Sequence, residues 1–316
     1  MLRPRLFGRA VTAARAEALR SRIQRGPPLL LDAAMGTELE RRGAVTVLPL
    51  WSAAALLDAP RIVFDIHAAD TAAGADVLTA NTFRTHARSL ARAGLDGQSE
   101  LLTWRAVSLA REAADLAAEP PFVVGSLSPL EDCYRPDLVP DNVALDREHA
   151  LQAEALAAAE VDGILLETHN TVREIAAAAR AAAATRLPVI VSVMTDGMGR
   201  LLSGETIEDV VRALSPIGPD AFAINCVPAR FLESDLARLA AAAPGAPLGA
   251  YGNVGQPRAG GEPGELPDPE EYGRLAERWL SLGARIVGGC CGTGPAYTAR
   301  LREMLGPRRP EPAITR

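Results

Sequence analysis

The chain has 316 residues, 48% of them hydrophobic and 23% charged, with a net charge of −6, so it can bury a large core and has no general attraction for a phosphate backbone. All 33 basic residues are arginine, which excludes chemistry built on a lysine amine: Schiff-base aldolases, pyridoxal phosphate enzymes and Gly-Lys-Ser phosphate loops. No uncharged apolar run reaches the roughly 18 residues a bilayer span needs, so neither nucleic acid nor membrane is an expected partner.

Residues 1–25 carry many arginines and a single acid, Glu17. They lack the apolar core of a secretory signal and are expected to form a short helical extension. Short apolar, β-rich runs then recur at 29–31, 76–80, 122–125, 163–166, 189–193, 221–224, 248–250 and 285–287. Between them lie alanine-rich helical stretches, among them 146–160, 171–185, 206–214, 229–242, 269–282 and 295–305. Continuous apolar strands alternating with helices imply a parallel sheet covered on its outside. Eight such units match a single-domain α/β chain folded as a (β/α)8 TIM barrel over residues 26–306, with an open doubly wound sheet as the alternative. The Pro- and Gly-rich stretches 135–140 and 256–269 interrupt the series without restarting it and read as loops or lids. The tail, 307–316, is expected to be flexible.

A barrel of this kind places its active site in the loops at the carboxyl ends of its strands. In chain order those ends carry Asp32, Asn81, Ser126, Glu167, Thr195, Cys226, Asn253 and the pair Cys290-Cys291. Ser126 and Thr195 are the ordinary polar residues that follow an apolar strand. The cysteines are not. Four cysteines, at 133, 226, 290 and 291, are too few and too unevenly spaced for a disulfide framework and fit a reducing, cytoplasmic setting.

Neighbouring residues on a regular strand face opposite ways, so Cys290 and Cys291 can share a ligand only if the chain bends. Gly288, Gly289 and Gly292 are expected to allow unusual backbone angles there. A vicinal disulfide is the competing reading; it is strained and leaves Cys226 unexplained. Strands six and eight lie near the same mouth, so Cys226 can complete a three-thiolate set suited to Zn²⁺ with one open position. Cys133 is the alternative fourth ligand, and with it the site becomes structural. A thiol substrate bound at an open zinc position ionises near neutral pH, and thiolate ligands leave its sulfur nucleophilic. That chemistry points to S-alkylation.

The chain resembles the homocysteine S-methyltransferase family over nearly its whole length. The resemblance rests on Asn225-Cys226 and the glycine-flanked Cys290-Cys291, on Met35-Gly36-Thr37-Glu38-Leu39, on Ala80-Asn81-Thr82-Phe83 and on Leu166-Glu167-Thr168. It implies a zinc-bearing barrel in which Cys226, Cys290 and Cys291 hold the metal and Asp32 and Glu167 take the ammonium of homocysteine. Asn81 and Asn225 are expected beside the substrate. The backbone amides around Gly36-Thr37 or Gly292-Thr293 are expected to receive its carboxylate. His169 is left outside the catalytic set. Two departures, Ala33-Ala34 after the first strand and Ser126-Leu127-Ser128-Pro129 after the third, narrow the pocket, so a related thiol or selenol is an alternative acceptor. One barrel filling 316 residues leaves no room for folate- and cobalamin-binding modules, and sulfonium methyls are better electrophiles than ammonium ones. S-methylmethionine or S-adenosylmethionine is therefore the expected donor, ahead of betaine. The rivals are a lyase or hydrolase using metal-bound water and a non-enzymatic zinc-binding barrel.

Overall fold

The computed structural model describes residues 9–254 and 266–308. Residues 1–8 of the extension, most of the 256–269 loop and most of the 307–316 tail lie outside the described residues. Eight parallel strands follow one another around a barrel: β1 (Leu29–Leu30), β2 (Val77–Ala80), β3 (Phe122–Leu127), β4 (Gly163–His169), β5 (Val189–Val193), β6 (Ala221–Pro228), β7 (Leu248–Asn253) and β8 (Ala284–Gly289). Consecutive strands pair in order from β2 to β8, and β8 pairs with β1 through Leu29 opposite Ile286. A parallel bridge between Leu31 and Val77 closes the ring.

Alternation along the strands separates two cores. Side chains pointing outward, such as Leu78, Leu166, Val191 and Ile224, pack beneath surrounding helices that include Ser99–Ala114, Asn142–Ala158, Val172–Ala184 and Pro269–Ser281. Inward side chains, among them Leu29, Val124, Leu165, Ile190 and Tyr251, form a second cluster inside the barrel. Helix boundaries fall close to the expected ones. The main difference is at 229–242, where a 3₁₀ turn, Ala229–Phe231, precedes the helix Leu232–Ala242.

The amino-terminal segment does more than extend the chain. Its helix α1 (Arg9–Arg25) places Leu19 and Ile23, both fully buried, against the inward cluster. Burial of two such side chains stabilises the fold by about 1.5–3 kcal/mol each. Arg15 clamps Asp162 just before β4 at 3.0 Å, and Arg20 reaches Asp220 just before β6 at 2.9 Å. Asp162 is fully buried, and its ionised form is held by Arg111 and Arg15 against the cost of desolvation, so its carboxyl lies below the usual range. The helix thus plugs the amino-terminal mouth and leaves the carboxyl-terminal mouth for chemistry. None of the described helices is long and apolar enough to cross a membrane.

Candidate active site and metal centre

Two local departures from strand geometry build the site. Ala221 and Ala223 of β6 point into the barrel, so strict alternation sends Asn225 inward and Cys226 outward. Cys226 instead adopts a left-handed backbone, φ 57°, where the β6–β7 register shifts between Asn225 and Pro228. The bulge re-aims the sulfur into the cavity. β4 does the same at Thr168, φ 64°, where its register with β5 shifts between Leu166 and His169. A non-glycine residue in this region costs about 1–3 kcal/mol and persists where its surroundings hold it. The buried amide of Asn225 supplies that hold. Its Oδ1 accepts from the Thr168 amide at 3.0 Å and from the Ser192 hydroxyl at 2.7 Å, and its Nδ2 donates to the Thr168 hydroxyl at 2.9 Å.

The glycines around the cysteine pair work differently from the expectation. Only Gly292 has a left-handed backbone, φ 86°. Gly288 and Gly289 are required by close approach: a Cβ on Gly288 would sit 2.6 Å from that of Leu31, and one on Gly289 would lie 2.8 Å from that of Thr293. The pair is pinned to β7, with the Cys290 amide donating to Gly252 at 2.9 Å and the Val254 amide to the Cys291 carbonyl at 2.9 Å.

As a result the sulfurs of Cys226, Cys290 and Cys291 lie within 4.8 Å of one another, and none of the cysteines is in a disulfide. Tyr134 and Asn253 bring a hydroxyl and an amide to 3.4 and 3.6 Å from the Cys226 sulfur. Hydrogen bonds from Cys290 and Cys291 depress the Cys226 thiol well below its ordinary pKa, and those same bonds raise the other two well above theirs. Without a cation, Cys290 and Cys291 resist becoming thiolates beside Cys226. Three thiolates need a cation, and the donor set fits a thiophilic metal. Cys133 lines the same cavity but lies outside the three-sulfur group.

Beside the sulfurs is a cavity of about 410 Å³, lined in part by Asp32, Asn81, Glu167, Trp51, Phe83 and Tyr251. Asp32 is buried and accepts from the amide and hydroxyl of Thr79 at 2.7 and 2.9 Å. Burial, with Asp70 and Glu167 nearby, still pushes its carboxyl well above the usual range. Glu167 is partly exposed to the cavity and accepts from the Ser126 hydroxyl; desolvation raises its pKa to about 7. A cation placed beside the two would stabilise their ionised forms against that desolvation. Asn81 lines the cavity with its Nδ2 on the Ser52 carbonyl at 2.9 Å and its buried Oδ1 without a partner.

Gly36 and Thr37 also line the cavity, in the first turn of α2 (Met35–Arg41), which has no side-chain cap. Gly36 packs its α-carbon under the Trp51 ring, and the Thr37 hydroxyl takes up the Gly292 amide at 3.0 Å. The Gly292 amide of the expected nest is thus already engaged. Asn225 is not among the cavity-lining residues; it lies beneath the site. His169 is fully buried, its Nε2 at 3.2 Å from the Leu127 carbonyl. Thr195 donates to Asp235, away from the cavity. The contributions of Ser126, Tyr134 and Asn253 escaped sequence reasoning. The only signal for Ser126 and Asn253 was their place at strand ends.

Fold and site together define a (β/α)8 barrel enzyme whose carboxyl mouth carries a cluster of three cysteines able to hold a metal ion. The family model for homocysteine S-methyltransferase matches residues 29–305, and the chain belongs to that family and is a methyltransferase of its type. It is 32% identical over 302 residues to the homocysteine S-methyltransferase of Escherichia coli K12, covering 90% of this chain and 97% of that protein. It is 27% identical to homocysteine S-methyltransferase 1 of Arabidopsis thaliana, over 84% and 90% of the two chains. The crystal structure of the Escherichia coli homocysteine methyltransferase MmuM in its metallated form superposes with a TM-score of 0.79 at 31% identity, covering 90% of this chain and 99% of that one.

Proposed function

We propose that the protein transfers a methyl group from a sulfonium donor, S-methylmethionine or S-adenosylmethionine, to the sulfur of homocysteine, giving methionine. The observation that carries this reading is the three-sulfur group opening onto the cavity that Asp32 and Glu167 also line. Cys226, Cys290 and Cys291 would hold Zn²⁺, which when bound lowers the pKa of a substrate thiol and keeps its sulfur nucleophilic.

The chain's own residues do the rest. Asp32 and Glu167 receive the ammonium through charge-assisted hydrogen bonds, and their mutual repulsion in a desolvated setting favours a bound cation over two bare carboxylates. Thr79 and Ser126 fix the two carboxylates by the bonds described above. Asn81 lines the same pocket. The first turn of α2 presents uncapped amides for the carboxylate.

Trp51, Phe83, Tyr134 and Tyr251 line the cavity, with Trp51 and Phe83 edge to face at 5.4 Å. Such faces favour a cationic onium group. In the transfer the thiol loses its proton, the new S–CH₃ bond forms as the sulfonium C–S bond breaks, and the donor leaves as a neutral thioether. Homocysteine is incubated with S-methylmethionine, S-adenosylmethionine and betaine in turn, and methionine is followed by mass spectrometry. Turnover with a sulfonium donor is expected; no methionine from any donor would overturn the reading.

A further inference from the structure

Among the described residues, Arg84 is the one arginine that lines the cavity. It follows the Asn81-Thr82-Phe83 segment at the end of β2 and is only 5% exposed. Its Nη1 donates to the Glu131 carbonyl at 2.9 Å, and its buried Nε has no partner. Among the described residues no carboxylate forms an ion pair with it. The nearby acids are engaged elsewhere. Glu131 binds Arg88 and Arg92, Glu174 accepts from the Leu130 amide and faces His149, and Asp132 accepts from the Tyr134 amide. Burial depresses the Arg84 pKa, against the pull of Cys133 and of these acids. A guanidinium has no accessible neutral form, so a buried one without a counter-ion is costly to the empty protein. An anionic ligand group removes that cost.

We infer that Arg84 is a specificity-determining residue that receives a carboxylate of an amino-acid ligand in the cavity, an inference that rests on the methyltransferase reading above. The cavity's other polar groups divide the ligand sensibly. Asp32 and Glu167 suit an ammonium, the sulfurs suit a metal and thiol, and of the described lining residues Arg84 alone presents a full positive charge. Both the acceptor and an amino-acid sulfonium donor carry a carboxylate, so the same chemistry has two sources.

The test uses the metal-loaded full chain and the variant R84Q, whose amide can still donate to the Glu131 carbonyl. Calorimetry measures binding of homocysteine and of S-methylmethionine, each beside its decarboxylated counterpart: 3-aminopropanethiol and its dimethylsulfonium analogue. The wild-type protein is expected to bind at least one acid roughly 10- to 100-fold more tightly than its counterpart, and R84Q to lose that preference while binding the decarboxylated compound as before. Loss with homocysteine assigns Arg84 to the acceptor, and loss with S-methylmethionine assigns it to the donor. R84K, which keeps the charge without the fork, is expected to recover part of the preference.

A wild-type protein indifferent to both carboxylates, or an R84Q variant that keeps the full preference, would overturn the inference and leave methyl transfer intact. A wild-type protein that binds neither acceptor nor donor overturns both. If R84Q does not fold, the wild-type comparison and R84K still decide.

Discussion

Replacing Asn225 with alanine tests whether one buried amide holds the three-cysteine cluster together. Its three hydrogen bonds tie β6 to the left-handed Thr168 of β4 and to Ser192 of β5. At about 1 kcal/mol net for each bond, the substitution is expected to cost about 3 kcal/mol, with the buried Thr168 amide left unsatisfied. For a chain of this size that corresponds to a drop in Tm of about 5 °C. The same amide lies 4.0 Å from the Cys290 sulfur and sits one residue before the left-handed Cys226. Metal affinity should therefore fall by roughly 10- to 100-fold, as it does when outer-shell partners of ligands are removed. Scanning fluorimetry reads the first effect, and competition with a chromophoric chelator reads the second. If the variant melts within about 1 °C of wild type and holds metal equally well, the amide does not hold the two bulges and the account of the site is wrong.

Cys226→Ala and Cys290→Ala are each expected to abolish metal retention, measured by elemental analysis of the purified proteins; a variant that keeps stoichiometric metal contradicts the ligand assignment. Gly288→Ala places a methyl group 2.6 Å from the Leu31 Cβ and 3.2 Å from its carbonyl, an overpacking worth about 1–3 kcal/mol that chemical denaturation will register. Glu167, with its pKa raised to about 7, is protonated below that pH and cannot hold an ammonium as an ion pair there. Homocysteine affinity of the metal-loaded protein should rise as pH increases through 7, and Glu167→Gln should remove that inflection in calorimetric titrations. His67 and His169 are buried, with pKa values lowered by desolvation to about 4 from 6.5. The unfolded chain binds their protons more readily than the folded one, so stability is complete above pH 6.5. It should fall by about 3 kcal/mol per histidine as pH drops to 4; a flat Tm across that range would refute their burial as neutral rings.

The barrel was legible in the sequence because its causes are local. Apolar runs of strand length, alanine-rich helical spans between them and polar residues at the strand ends all leave short-range patterns. The meeting of the three sulfurs was legible in outline as well, since an adjacent cysteine pair flanked by glycines at a strand end puts two soft donors at the barrel mouth.

What tertiary structure alone decided are the relationships between distant residues. Period-two alternation predicts an outward Cys226, and no local signal marks it as left-handed; that conformation accompanies the β6–β7 register shift and the hydrogen bond that the adjacent Asn225 accepts from the Thr168 amide, 57 positions before Asn225. Gly288 reads as a hinge but is needed because Leu31, at the end of the neighbouring strand β1, leaves no space for a side chain. The Arg-rich start of the chain reads as a short helical extension, and only the fold shows that its Leu19 and Ile23 complete the inner core. Ser126 reads as an ordinary strand-end residue and instead fixes the Glu167 carboxylate on the next strand. Arg84 is one of 33 arginines in the sequence, and only its surroundings show that it has no ion-pair partner among the described residues. Local propensity writes elements into a sequence; which strained backbone is tolerated, and which charge is left unpaired, depends on neighbours that the chain brings together only when it folds.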